Sequence, residues 1–373
     1  MPLLHTFLQH NFRSLIALWF AYAVSCCLCV AETIVIQGPD ALRKTLQNVT
    51  PDTRLKLSPG EYGHGYYIRS AAQLTIEALD EKRPPTFTGG NVAIHGSQCS
   101  KLTLRHLTIR GQKDNGLNFD DGGTNAQVNS TSTTQSITHQ ILLENLSISE
   151  IGPKGNHDGI KCSGIQGLVI RKCQINGWGG QGIDLVGCHQ VFIDECDLEG
   201  KEGFNASAGV QIKGGSSNVT VQMCRFKDAG ERPINVGGST GLEYFRPKGA
   251  KAEATQIVIR ENQIEGGSCG VAFVGVDEAL FERNSIRNPT RWLIRILQEN
   301  SNSGFTPCSN VVIRENQFQF QRKDLREDVN IGPGTSPETF RFIANKWTAS
   351  DVPERSKPRL PVAEEGGVYG SNP

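Results

Sequence analysis

Ile257-Val258-Ile259-Arg260-Glu261-Asn262-Gln263-Ile264 and Val311-Val312-Ile313-Arg314-Glu315-Asn316-Gln317-Phe318 are two copies of one phrase. The phrase is apolar-x-apolar-x-x-(Cys, Asn or Leu)-x-apolar, and it occurs nine times between Leu102 and Trp347, with successive copies 22 to 39 residues apart. Alternation with period two predicts strands, because successive side chains of a strand point to opposite faces. Repetition at this spacing predicts a solenoid in which equivalent positions of neighbouring coils stack. The sixth position changes in blocks. It is Leu at 107 and 146, Cys at 173, 196 and 224, and Asn at 262, 284, 316 and 345. Stacked asparagines can hydrogen-bond along a ladder and tolerate the left-handed backbone of a tight turn. The cysteines in the same row are expected to pack as small buried thiols.

A second strand row follows each phrase after a loop of variable length, with the form Gly-apolar-x-apolar-x-Gly, as in Gly159-Ile160-Lys161-Cys162-Ser163-Gly164 and Gly182-Ile183-Asp184-Leu185-Val186-Gly187. The residues between the apolar ones must face outward. That outward column reads Asn118, Lys161, Asp184, Gln211, Asn235, Ala272 and Arg295, the most polar row of the repeats and the place where chemistry is expected.

The ends and the composition bound the rest. Residues 1–31 predict a secretion signal: Arg13 precedes the apolar run Leu15–Val24, and Cys29-Val30-Ala31 offers a cleavage site. A lipoprotein box at Ala23-Val24-Ser25-Cys26 is the alternative. The run is too short for a stable membrane span, so the protein is expected to be exported, to the periplasm, the cell surface or the medium, and to be a monomer. Residues 32–349 would form one solenoid domain, opened by a strand at Thr33–Ile36 and a capping helix near Asp40–Gln47. Residues 350–373 are rich in Pro, Gly and charge and predict a loose tail; residues 122–136 predict a mobile polar loop. The 38 basic and 38 acidic side chains balance, which argues against nucleic acid as a partner. No Cys/His spacing suggests zinc.

With the repeated phrase, the Asn row, the Ser58-Pro59-Gly60-Glu61-Tyr62 opening and the glycine-bounded second strand in view, residues 32–348 resemble the right-handed parallel β-helix proteins of the pectate-lyase-like group. The resemblance implies an all-β, single-stranded right-handed parallel β-helix with an N-terminal capping helix. It further implies that the column from Asn118 to Asn235 is the floor of a groove for an extended polysaccharide, walled by the variable loops. Gly155-Asn156-His157-Asp158-Gly159-Ile160 looks like the Asn-x-Asp-Gly-Ile segment of polygalacturonase-type hydrolases, which supplies a catalytic acid. The paired aspartates, the Gly-His-Gly and the full Arg-Ile-Lys of that family have no counterpart here. His157-Asp158 is also similar to the His-Asp segment of β-helix alginate epimerases.

These readings point first to a lyase that cleaves a uronic-acid-containing polysaccharide by β-elimination. A base removes the proton α to the carboxylate while a cation stabilises the charge that builds there. In β-helix lyases the base is commonly Lys or Arg and the cation often calcium. Lys161, beside His157 and Asp158, is the first candidate for base, its pKa lowered by neighbouring cations and partial desolvation; the competing reading pairs it with Asp184 on the next coil. Lys213 is the second outward lysine. Asp158 and Asp184 could instead act as the acid and base of an inverting hydrolase, or bind Ca2+ with Asp120 or Asp121. Gln211, Asn235, Asn118, Arg232 and Arg295 suit hydroxyl and carboxylate recognition. Tyr244 and Arg246, in an insertion at 239–256, could stack on or clamp a sugar. A non-catalytic glycan-binding or surface module is the reading from another class.

Overall fold

The computed structural model describes residues 32–123, 139–302 and 304–370. The expected signal segment, and nearly all of the expected loop at 122–136, lie outside these residues. The nine phrases each build two short strands joined by a tight turn, and the glycine-bounded row builds the third strand of the coil. One full coil runs through Ile160–Ser163, Gln166–Arg171 and Gln174–Trp178. Among the described residues the coils stack into three sheets of 12, 11 and 10 strands, in which all the strand pairs are parallel. The inward residues form a continuous apolar column, from Leu55 and Tyr62 through Ile160, Ile170 and Ile175 to Phe318 and Trp347.

The turn inside the phrase corrects one expectation. The left-handed residue is not the ladder asparagine but its predecessor: Glu261, Arg283, Glu315 and Ala344 have φ between +52° and +57°, as do their counterparts before the Cys and Leu positions at +50° to +54°. The asparagine side chain instead turns inward along the stack. Asn284 Oδ1 accepts from the Asn262 backbone N–H at 3.0 Å and from its Nδ2 at 2.9 Å, while Asn284 Nδ2 donates to Ile259 O at 3.0 Å. The same set repeats from Asn284 to Asn316 and from Asn316 to Asn345. Where the ladder changes to cysteine, Asn262 Oδ1 accepts from the Cys224 backbone N–H at 2.9 Å. The eight described cysteines are all unpaired and buried, as their packing role requires.

Both ends of the stack are closed. Glu32–Ile36 pairs with Thr53–Leu57, and helix α1, Pro39–Leu46, buries Leu42 in the core. At the other end the expectation of a loose tail is corrected for residues 350–370. Val368–Tyr369 pairs with Lys346–Ala349, and Glu364 accepts from Asn345 N–H, Asn345 Nδ2, Trp347 Nε1 and Tyr369 OH at 2.8 to 3.1 Å. A further coil would have offered Asn345 an amide oxygen as acceptor; the Glu364 carboxylate takes that place, which ties down a segment that composition alone marks as mobile.

Glycines open the third strand of several coils, where the coils approach closely. A Cβ on Gly159 would lie 2.6 Å from the Gly182 carbonyl oxygen, and one on Gly182 would lie 2.7 Å from that of Gly209.

Candidate functional site

The predicted outward column is one straight row. Tyr67, His95, Asn118, Lys161, Asp184, Gln211, Asn235, Ala272, Arg295 and Asn330 are successive in-register partners across the ten-stranded sheet. Sequence reading began the row at Asn118 and so missed Tyr67 and His95. Tyr66-Tyr67-Ile68 and Ile94-His95-Gly96 carry the same alternation, but the first coils lack the paired glycines that marked the later strands.

In the middle of the row lies a charge cluster. Lys161 Nζ sits 2.9 Å from Asp158 Oδ2 and 2.8 Å from Asp184 Oδ2. Lys213 Nζ approaches the other oxygen of Asp184 at 3.3 Å, without the alignment of a hydrogen bond. Asp158 and Asp184 are 0% exposed, whereas the side chains of Lys161 and Lys213 retain 24% and 17% of their accessible surface. Asp158 is further held by the Gln181 backbone N–H at 2.9 Å. Burial pushes the Asp158 carboxyl above its usual range, and the neighbouring Asp184 charge adds to this against the pull of Lys161. For Lys161, burial alone lowers the ammonium, but Asp184 and Asp158 together outweigh it and hold its pKa above the ordinary lysine value.

That direction corrects the expectation of Lys161 as the base. A base must give up its proton near neutral pH, and two buried carboxylates hold it on. The pairing with Asp184 is the arrangement found. An inverting hydrolase is not built either. The two carboxylates share one ammonium, their nearest oxygens lie closer than the roughly 6.5 Å that an intervening water requires, and neither is open to the groove. His157 does not join the cluster; its Nδ1 lies 3.1 Å from Asp114 Oδ1.

Towards the C-terminal coils the row carries Arg295, with Arg232 nearby. Arg295 Nε donates to Asn330 Oδ1 at 2.9 Å, and its guanidinium lies 4.2 Å from the centre of the Trp292 ring. Burial and the charge of Arg232 both lower the Arg295 pKa, which places the two cations near each other; Arg232 is steadied by Glu299 at 2.8 Å. Asn235 is 4% exposed with an unpartnered Oδ1, and Gln211 Nε2 donates to Gly237 O at 3.4 Å.

Arg246 departs from its expected role as a sugar clamp. It forms a two-pronged pair with Asp121, Nε to Oδ2 at 2.6 Å and Nη2 to Oδ1 at 2.9 Å, which pins the insertion over the ends of the groove strands at Gly164 and Gly187. Tyr244 stands beside it, 53% exposed, at the end of the short 3-10 turn Leu242–Tyr244. The same pairing bears on calcium. Asp121 is occupied by a guanidinium, and Asp120 by His95, Ser97 and the Gly122 N–H. Among the described residues no three His, Cys, Asp or Glu side chains converge as a metal site, so the donor set at Asp120 and Asp121 does not fit Ca2+.

At the N-terminal end of the row, His95 Nε2 lies 2.6 Å from Asp120 Oδ2, and Ser97 Oγ donates to Asp120 Oδ1 at 2.6 Å. Burial raises Asp120, but the bonds from His95, Ser97 and Gly122 reverse this and bring it down to about 2, so the carboxylate is ionised and Nε2 carries the shared proton. Tyr67, 50% exposed, meets the His95 ring edge-on at 4.8 Å. A concavity of about 440 Å³ opens here, lined by His64, Tyr67, Asn91 and His95 among others.

A family model described as the right handed beta helix region matches residues 92–247. The chain is a right-handed parallel β-helix. Three solved structures resemble this β-helix over most of its length. The Dettilon tailspike protein has a TM-score of 0.60 at 13% identity, with 89% of this chain and 61% of that one covered. The mannuronan C-5 epimerase AlgE6 A-module of Azotobacter vinelandii has a TM-score of 0.57 at 11% identity, with 90% and 94% covered. An alginate lyase from Paenibacillus sp. str. FPU-7 has a TM-score of 0.54 at 16% identity, with 83% and 99% covered. In sequence, a stretch of 164 residues is 24% identical to the SPbeta prophage-derived uncharacterized protein YorA of Bacillus subtilis (strain 168); it spans 36% of this β-helix and 28% of that protein. At these identities the shared property is the fold.

Proposed function

We propose that this β-helix is an exported carbohydrate-active protein that holds an acidic, uronic-acid-containing polysaccharide along the ten-stranded face and cleaves it by β-elimination. One observation carries the reading. The anions of the central cluster, Asp158 and Asp184, are buried while their cations, Lys161 and Lys213, reach the surface of the groove. An arriving polymer therefore meets positive charge although the chain as a whole is neutral. Arg295, on the same row, and Arg232 near it continue that charge towards the C-terminal coils. A carboxylate paired with such a cation leaves the adjacent C5–H more acidic, because the charge that develops on proton removal is already compensated. The names of two similar structures, an alginate lyase and a mannuronan C-5 epimerase, support an acidic polymer as the substrate class. Export through residues 1–31 fits the same reading.

The test is a panel of polygalacturonate, alginate, hyaluronan and chondroitin, with dextran as the neutral control. Binding is followed by calorimetry, and elimination by absorbance near ~232 nm, where the conjugated product of proton loss and bond cleavage appears. Salt-sensitive binding to one acidic polymer with rising absorbance is expected, and Lys213→Met should weaken it about tenfold. Equal affinity for dextran, or a flat trace on every acidic polymer, overturns the proposal.

A further inference from the structure

If the lysines of the central cluster bind but cannot take a proton, the acid and base of an elimination must lie elsewhere on the row. We infer that the reacting groups are at its N-terminal end: His95 as the base, positioned by Asp120, with Tyr67 as the acid and Arg69 as the cation that meets the substrate carboxylate. This rests on the proposed function and deepens it by naming the residues that perform the chemistry.

The geometry supports each role. His95 gives its Nε2 proton to Asp120 at 2.6 Å, and Asp120 is itself fixed by Ser97 and the Gly122 amide. Such a carboxylate–imidazole pair sets the tautomer and leaves the lone pair of Nδ1 free to accept a proton. No hydrogen-bond partner of Nδ1 is found among the described residues. Tyr67 is the preceding partner on the row, half exposed, with its ring against His95 and Arg69 at 5.7 Å from the ring centre. Arg69 and Tyr67 are two residues apart in Tyr66–Arg69 and so point to the same side. His95 and Tyr67 thus line one open concavity rather than the covered middle of the row, and Arg69 stands beside the Tyr67 hydroxyl at 3.4 Å.

The step balances without a further reactant. His95 Nδ1 takes the C5 proton, and the electron pair forms the C4=C5 double bond. The C4–O bond to the departing sugar breaks, and the oxygen receives the Tyr67 hydroxyl proton. His95 then returns its proton to solvent, and Tyr67 regains one from it.

The experiment uses the full chain and the acidic polymer that the panel selects, in D2O, reading elimination by absorbance and C5 hydrogen–deuterium exchange by NMR. His95→Gln should lose both at least 100-fold, since no base remains. Tyr67→Phe should lose elimination by a similar factor yet keep C5 exchange, a split that a merely structural tyrosine would not produce. Should His95→Gln fail to fold, Tyr67→Phe, at a half-exposed position, carries the test alone. Turnover near the wild-type rate in either variant overturns the assignment and leaves the proposed function standing. Loss of exchange in Tyr67→Phe removes Tyr67 as the acid. A wild-type protein that binds the polymer but neither exchanges nor eliminates overturns the assignment and the lyase reading together.

Discussion

Replacing Lys161 with Met tests whether the central cluster is a framework or a reacting centre. The substitution keeps most of the side-chain length and removes the one ammonium that lies within 3 Å of both Asp158 and Asp184. Both carboxylates are fully buried, so neither can turn to water for compensation. Breaking a buried pair by removing one partner costs about 3–5 kcal/mol, because the remaining charge is left unpaired. Here Asp184 retains Lys213 at 3.3 Å and Asp158 retains the Gln181 amide, and the Lys161 head is partly wet, which places the expected loss near the lower end, about 3 kcal/mol. Lys227→Met is the comparison. Its pair with Glu199 is exposed on both sides, and such pairs contribute about 0–1 kcal/mol. The second variant, Lys161→Met with Asp158→Asn, should recover more than half of the loss by removing the stranded charge. The pH dependence has a definite sign. The folded-state pKa of Asp158 is raised, so the folded form gains stability relative to the unfolded one as pH falls through that raised value and the carboxyl takes a proton. Without the pull of Lys161 that pKa rises further, so the variant gains more than wild type on acidification and the gap between them should narrow as pH falls below 7. Urea unfolding followed by circular dichroism at several pH values reads all of this. A Lys161→Met midpoint equal to that of Lys227→Met, or no recovery in the double variant, would refute the framework role.

Four further outcomes follow from the structure. Asn284→Ala strands the N–H and one Nδ2 hydrogen of Asn262 inside the stack; at about 1–3 kcal/mol for each unsatisfied buried group, the loss in a urea titration should be roughly 2–6 kcal/mol. Glu364→Ala should cost less, because Glu364 is only half-buried and water can take its place beside Asn345; equal losses would show that the buried position of the ladder is not the source. Asp120 is held near a pKa of about 2, so its pairing contributes stability above its ordinary value of 3.8 that is lost as pH falls through about 2; Asp120→Asn should cost about 1–2 kcal/mol at pH 7, after allowing for partial exposure, and converge on wild type between pH 4 and pH 2 in thermal melts. Arg246→Ala removes both contacts to Asp121 and should speed proteolytic cleavage within residues 239–256 with little change in the melting of the coils; an unchanged cleavage pattern would argue that Phe245, buried against Phe305, already fixes the insertion.

Much of the architecture was legible because a solenoid writes the same physical constraint into every coil. The period-two alternation, the Asn row and the glycines of close approach each recur, so chance cannot mimic them. Direction along the row was legible too: parity alone placed Lys161, Asp184 and Gln211 on one outward face. Exposure was not. Asp184 points outward yet is fully buried, because Lys161 from the previous coil and Lys213 from the next close over it, and side-chain lengths on neighbouring coils enter no pattern along a single strand. The left-handed residue was misplaced by one position because asparagine suits both that backbone and a ladder, and only coordinates separate the two. His95 escaped notice since its strand has no bracketing glycines, and Asp120, read as a cation ligand, proved to be its partner.

The division of labour along the row has a single electrostatic cause. A lysine that lowers the cost of burying two carboxylates is held more firmly protonated by them, so the feature that makes the central groove attractive to anions also disqualifies its lysines as bases. Proton transfer needs a group whose charge is not committed in this way. His95 meets that condition because its single carboxylate partner engages one ring nitrogen and leaves the other free, on a stretch of the face open enough to form a concavity. Binding and chemistry then occupy different coils of the same stripe, His95 lying two coils from Lys161, and an extended polymer is the class of substrate that can reach both at once.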